Sequence, residues 1–189
     1  MAFPTVEELT DRLHVVLRPH GWDLEGVVVT RAGKKSLVRV AVDADQQPDL
    51  DHLEAVSQEI STLFDAAEAA GELNFGAGYT LEVTSRGVDA PLNAPRHWRR
   101  ARHRLVRVTG TDIAGQQVDG VWRIGDVSAA ADRVVLVSTT GKTPQVRVLD
   151  LDSPYKAVVQ IEFAQPPEAQ LELTRTDFDN AIAWQEDDK

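Results

Sequence analysis

The helical period in this chain stops at Gly87, and that break limits the possible folds more than any other feature. Before it, two segments place apolar residues every three or four positions. After it, beyond one short helical turn at Pro95–Arg100, the apolar runs are brief and separated by polar or Gly-containing breaks as far as Phe163. A 189-residue chain patterned in this way fits two small cores of different class better than one large one.

The first segment opens with Thr5 three residues before Glu8, the spacing of a capping box. Val6, Leu9, Leu13, Val16 and Leu17 then share one face until Pro19 and Gly21 end the helix. Trp22–Thr30 and Ser36–Val42 flank Arg31-Ala32-Gly33-Lys34-Lys35 and predict an antiparallel hairpin with an exposed loop. Asp51 stands three residues before Glu54, and Leu53, Val56, Ile60, Leu63 and Phe64 repeat at helical spacing, which predicts a second helix capped there. Alternation over Tyr79–Val83, after Gly71, Gly76 and Gly78, adds a third strand. The order α-β-β-α-β predicts an α+β domain over residues 1–89, with two helices on a three-stranded sheet.

Runs at Leu105–Thr109, Gln117–Val127, Arg133–Ser138, Gln145–Val148 and Tyr155–Phe163 are broken at Thr111–Gly115, Ser128–Asp132 and Thr139–Pro144. Five short strands so spaced predict a small β-barrel in a second domain, residues 90–163, entered through an Arg-rich linker. Residues 164–189 begin with Gln165-Pro166-Pro167 and end with Glu186-Asp187-Asp188-Lys189, which predicts an acidic, disordered tail. Leu171, Leu173, Phe178, Ile182 and Trp184 leave open a segment that docks back or folds on a partner.

Chemistry that needs a dedicated constellation finds none here. There is no cysteine, and His14, His20, His52, His97 and His103 form no His-Glu-x-x-His pair, so no metal is expected. Gly141-Lys142-Thr143 imitates the end of a phosphate loop, but Leu136 occupies the required glycine position and Pro144 follows. Ser85 lacks the flanking glycines of a nucleophile elbow. No catalytic residue and no cofactor are expected. With no apolar run long enough to span a bilayer, and Met1-Ala2-Phe3-Pro4 leading into a charged helix, the expected location is the cytoplasm, away from membranes.

Charge is where the sequence speaks about partners. The net charge of -10 divides into -9 over residues 1–89, +4 over 90–163 and -5 over 164–189. Arg86, Arg96, Arg99, Arg100, Arg102, Arg104 and Arg107 fall within 22 residues, with Asp89 the only acid among them. Guanidinium groups bind phosphates bidentately and stack on bases, so this strip, with His97, Trp98 and His103, points to structured RNA. Salt bridges to the acidic first domain or tail are the competing use. On the second helix, Asp51, Glu54, Glu59 and Asp65 offer an acidic face to a basic protein.

Leu81-Glu82-Val83-Thr84-Ser85-Arg86-Gly87-Val88-Asp89-Ala90-Pro91-Leu92 resembles the signature of the ribosome maturation factor RimP family, Leu-Glu-Val-Ser-Ser-Pro-Gly-Leu-Asp-Arg-Pro-Leu. Arg86 stands where that family carries proline, Ala90 where it carries arginine, and Arg102-His103 where glycine is common. Leu37–Asp43, Leu50–Ser61, Asp119-Gly120-Val121 and Tyr155-Lys156-Ala157 are similar to further landmarks in the same order. The resemblance covers roughly residues 5–163. It implies that the second domain is an Sm-like β-barrel. It also implies a non-catalytic factor, a monomer, that binds the free 30S ribosomal subunit during maturation. The partners so implied are 16S ribosomal RNA and the decoding-centre small-subunit protein number twelve. A free-standing Sm-like RNA-binding regulator, unrelated to ribosome assembly, is the alternative.

Overall fold

The computed structural model describes residues 3–32, 35–112, 115–141 and 143–187. Met1-Ala2 of the leader reading, Gly33-Lys34 of the hairpin loop, Ile113-Ala114 of the first barrel break, Lys142 of the loop imitation and Asp188-Lys189 of the tail lie outside the described residues. The chain divides into two compact units, Met1–Gly87 and Val88–Lys189.

In the first unit, helix α1 (Val6–Leu17) starts on a reciprocal cap: Glu8 N donates to Thr5 Oγ1 at 3.2 Å and Thr5 N to Glu8 Oε2 at 2.8 Å. Leu9, Leu13 and Leu17 are buried along one stripe. After a single 3-10 turn at Arg18–His20, Gly21 takes a left-handed φ of 68°, which turns the chain into β1 (Asp23–Ala32). β1 pairs antiparallel with β2 (Lys35–Asp43), with one register slip between Leu24 and Gly26. Helix α2 (Leu50–Ala69) then crosses over and lets β3 (Tyr79–Ser85) pair parallel with β2, giving the order β1-β2-β3. The α2 cap is Asp49, whose Oδ1 accepts from His52 N at 2.8 Å, so Asp51 sits in the first turn rather than at the cap expected from sequence. Val38, Val40 and Val42 of β2 meet Leu9, Leu13, Val56, Ile60, Phe64 and Phe75 in the core.

In the second unit, α3 (Pro95–Arg100) begins at a proline that loses no helical hydrogen bond there, and it buries Trp98 completely. The Trp98 indole donates to the Tyr155 hydroxyl at 3.2 Å, with the rings edge-on at 5.7 Å. Strands β4 (Leu105–Gly110), β5 (Gly120–Val127), β6 (Arg133–Ser138), β7 (Val146–Asp150) and β8 (Tyr155–Gln160) form one antiparallel sheet in the order β7-β6-β5-β4-β8. β5 is irregular between Ile124 and Val127, and a Cβ on Gly125 would lie 2.7 Å from Val135 Cγ1, so only glycine permits this close approach to β6. The expected barrel does not close. A short corner at Leu151–Pro154 sends β8 to the far side of β4, and among the described residues no ladder joins β7 to β8.

The tail also departs from expectation. Where composition predicts disorder, residues 168–187 form α4 (Glu168–Arg175) and α5 (Phe178–Asp187). The reason lies in β6, where Val134, Val135, Leu136 and Val137 are all buried. Val134 and Leu136 face the inner core, and Val135 and Val137 face outward with Val146 of β7. Leu173, Phe178 and Ala181 cover that outer patch, with Ile182 and Trp184 at its margin. An apolar strand surface left to water is costly, and the tail removes it from water at ~25 cal/mol per Å².

Candidate functional site

The seven arginines of the strip do not share one fate. Arg86 belongs to the first unit, where its Nε lies 3.4 Å from Glu25 Oε2 and its side chain is only 15% exposed. On and beside α3, Arg96 and Arg100 are half-buried and Arg99 is exposed. Arg102 serves the fold: it donates to the Thr174 carbonyl at 2.7 Å and the Thr176 carbonyl at 3.0 Å, and pairs with Asp126 at 2.9 Å. A guanidinium at the end of α4 thus satisfies carbonyls that the last helical turn leaves open. Arg104 and Arg107 are exposed.

Of the aromatics expected to stack on bases, His97 and Trp98 are withdrawn into the core, whereas His103 is exposed. His97 and Trp98 are buried, 2% and 0% exposed, and His97 Nδ1 accepts from Asn93 N at 3.3 Å. His97 and Trp98 anchor α3, which is why the arginines on either side of them occupy its remaining faces. His103 holds a left-handed φ of 73° and places Nδ1 2.8 Å from Thr174 Oγ1. Burial, then the neighbouring Arg102, Arg175 and Arg123, hold His103 below the ordinary histidine range.

Strand register identifies a cation that spacing alone misses. Arg107 opposes Val158 of β8 and Thr109 opposes Lys156. Opposed residues point to the same face, so exposed Arg107 and Lys156 are diagonal neighbours on the outer face of β4 and β8. The same face carries Arg123 opposite Leu105, but there it is covered and Arg123 is 1% exposed. Arg123 makes a bidentate pair with Glu162 at 2.6 and 2.8 Å, donates to Gln170 Oε1 at 3.0 Å and to the His103 carbonyl at 2.9 Å. It therefore joins β5, the end of β8 and α4. No local motif announces Arg123; only the pairing of β4 with β5 shows that it lies beneath the tail.

The four carboxylates of the acidic face are all exposed but do not form one cluster. At 3.6 residues per turn, Glu59 lies about 140° round α2 from Glu54. It turns toward His20, 3.0 Å away, whereas Asp65 accepts from the Tyr79 hydroxyl at 2.8 Å on the β3 side. Burial pushes that hydroxyl up to about 12, so it remains a donor. Asp51 lies on the solvent side between them, and Glu54 lies within about 20° of Asp65 round the helix but three turns away along it.

Comparison with known proteins now decides the family. The family model described as RimP N-terminal domain matches residues 13–89. A protein of Corynebacterium diphtheriae named ribosome maturation factor RimP is 51% identical over 189 residues, covering 100% of both chains. This chain belongs to the RimP family. Relatives of the same name from Corynebacterium aurimucosum and Corynebacterium kroppenstedtii are 48% identical over 181 residues and 42% identical over 186 residues. They cover 96% and 95% of this chain, and 95% and 98% of their own length. The RimP likeness therefore runs through α4 and α5 as well as both sheets, beyond the residues 5–163 that the motifs alone suggest. Among the described residues of this RimP-family chain, no helix is long and apolar enough to cross a membrane.

Proposed function

We propose that this chain is a non-catalytic ribosome maturation factor that binds the free 30S subunit and assists its assembly in the cytoplasm. The full-length match to relatives named for ribosome maturation carries the reading. Its division of labour follows from charge. Asp51, Glu54, Glu59 and Asp65 of the acidic first unit meet a basic small-subunit protein, with the decoding-centre protein number twelve as the expected partner. Arg99, Arg104, Arg107 and Lys156 meet 16S ribosomal RNA phosphates, while Arg102 contributes through the fold that displays them and Arg86 pairs with Glu25 within the first unit. Two moderate contacts on one chain raise affinity together more than either alone. The helix-led, five-stranded antiparallel second unit supports relating it to an Sm-like barrel, with no ladder between β7 and β8 among the described residues.

Sedimentation against separated 30S subunits, 50S subunits and 70S ribosomes tests this. The protein should travel with free 30S and not with the other two. Equal recovery with all three, or with none, would refute the proposal. A native mass that is a multiple of the single chain would favour the ring-forming RNA regulator instead.

A further inference from the structure

Among the described residues, the sheet of the first unit ends in an edge that no further strand pairs, beside an acidic groove. β3 pairs with β2 without interruption from Tyr79 to Ser85. Ser36 N donates to the Gly78 carbonyl at 3.1 Å, and Arg86 N to the Val42 carbonyl at 3.2 Å, which fixes the phase of the ladder. In a parallel ladder both backbone groups of every second residue go to the same neighbour. Thr80, Glu82 and Thr84 are therefore committed to β2, and Tyr79, Leu81 and Val83 direct N–H and C=O to the outer edge. Among the described residues no strand pairs there. Such an edge is a template for another chain. The opposite edge, β1, is a poorer one because its register slips at Leu24/Gly26.

Between β3 and α2 lies a groove of about 540 Å³, lined among others by Gln58, Ser61, Asp65, Glu68, Tyr79 and Leu81, with two carboxylates and, among the described residues, no cation in its wall. Asp65 accepts from the Tyr79 hydroxyl at 2.8 Å and Glu68 from Phe75 N at 2.9 Å. A carboxylate has about four acceptor sites, so each keeps capacity for an incoming donor. Side chains of a strand added to β3 would alternate between this groove and the opposite face of the sheet.

We infer that the outer edge of β3 and the α2 groove take up an extended, lysine- or arginine-bearing polypeptide segment as a fourth strand of the sheet. Its backbone bonds to Tyr79, Leu81 and Val83, and its alternate cations reach Asp65 and Glu68. The inference specifies how the protein contact of the proposed function is made, and rests on that reading only for the ribosomal source of the segment.

Amide exchange on the full chain tests it, using a capped ten-residue peptide that alternates lysine and threonine. The same capped peptide with every backbone N–H methylated, equal in charge but with no backbone donor, is the control. The first peptide should slow exchange at Leu81 and Val83 and leave Thr80, Glu82 and Thr84 unchanged; the second should bind at least about fivefold more weakly, the equivalent of one lost hydrogen bond. Leu81→Pro removes an outward N–H that β2 does not use, and should weaken the first peptide about five- to tenfold. Should that variant fold poorly, Gln58→Lys places a cation in the groove from an exposed position and should weaken binding likewise. Equal affinity of the two peptides, or unprotected edge amides at saturation, would overturn the inference. Mass-detected exchange on the 30S complex separates the two levels. Sedimentation with 30S while β3 stays unprotected refutes the added strand and leaves the function standing. Failure to sediment refutes the function and leaves the peptides to decide the edge.

Discussion

Glu162→Gln asks whether the tail helices are held by a buried charge pair. Arg123 is 1% exposed, and its bonds to Glu162, Gln170 and the His103 carbonyl occupy four of the five guanidinium N–H groups. Glutamine keeps the shape but offers one acceptor where the carboxylate offers two, and turns an NH2 toward a group that can only donate. The guanidinium remains buried and loses its counter-charge. Breaking a fully buried pair in this way costs ~3–5 kcal/mol. Glu162 is 22% exposed, so water replaces part of what is lost, and a cost of about 2–3 kcal/mol is expected. For a unit of this size each kcal/mol moves the midpoint by ~4–8 °C, so the second unit should melt roughly 8–24 °C lower.

Tryptophan fluorescence reads this directly, because Trp98, Trp122 and Trp184 lie in the second unit and Trp22 in the first. A companion variant, Arg123→Met with Glu162→Leu, removes both charges and keeps volume, and should stay within about 1 kcal/mol of the parent. The pH profile adds a sign. Hydrogen bonds from Arg123, then its charge, hold the Glu162 carboxyl below its ordinary 4.5. A depressed carboxyl contributes stability that is complete above the unfolded value and lost as pH falls through the folded one. Parent and Glu162→Gln should therefore differ most above about pH 5 and converge in acid. A loss under about 0.5 kcal/mol, or a double variant as unstable as the single one, would refute the argument.

Removing residues 164–189 should lower the melting midpoint of the second unit and raise its binding of a hydrophobic dye, because Val135, Val137 and Val146 become exposed; an unchanged midpoint would mean the tail contributes nothing to folding. Changing Arg99, Arg104 and Arg107 to glutamine should weaken 30S binding and flatten its salt dependence by up to ~0.7–0.9 per lost phosphate contact, with stability within ~0.5 kcal/mol. Adding Arg102→Gln should, by contrast, destabilise the second unit, since it frees the Thr174 and Thr176 carbonyls, and urea unfolding separates the two effects. Reversing Asp51 and Glu54 to lysine should slow association with a basic small-subunit protein while the midpoint of the first unit moves by less than ~0.5 kcal/mol; an unchanged on-rate in stopped flow would reduce that face to a solubility surface.

What could be read from the sequence tracks the range of the forces involved. The α1 capping box, the hairpin strands and α3 at Pro95–Arg100 are set by neighbours within a few residues, and local spacing predicts them. For α2, Asp49 and Asp51 offer the same capping chemistry two residues apart, and only the hydrogen bond from His52 N distinguishes them. Trp98 and His97 looked like RNA-stacking groups because aromatics and arginines are adjacent in sequence; the helical turn then sends the aromatics into the core and leaves Arg99 outside. For the tail, composition favours disorder and leaves docking as an open alternative, yet a signal that decides between them stands elsewhere in the chain. A strand covered on one face alternates, as Val106 and Val108 do against Arg107 in β4. Val134-Val135-Leu136-Val137 does not alternate, and such a run requires cover on both faces. No element between Leu105 and Phe163 was left to supply the second cover, whereas Leu173, Phe178 and Ile182 had no core assigned to them. Matching an unexplained apolar surface to an unassigned apolar segment would have docked the tail from sequence alone, and the burial of Arg123 beneath it follows from its register with Val137.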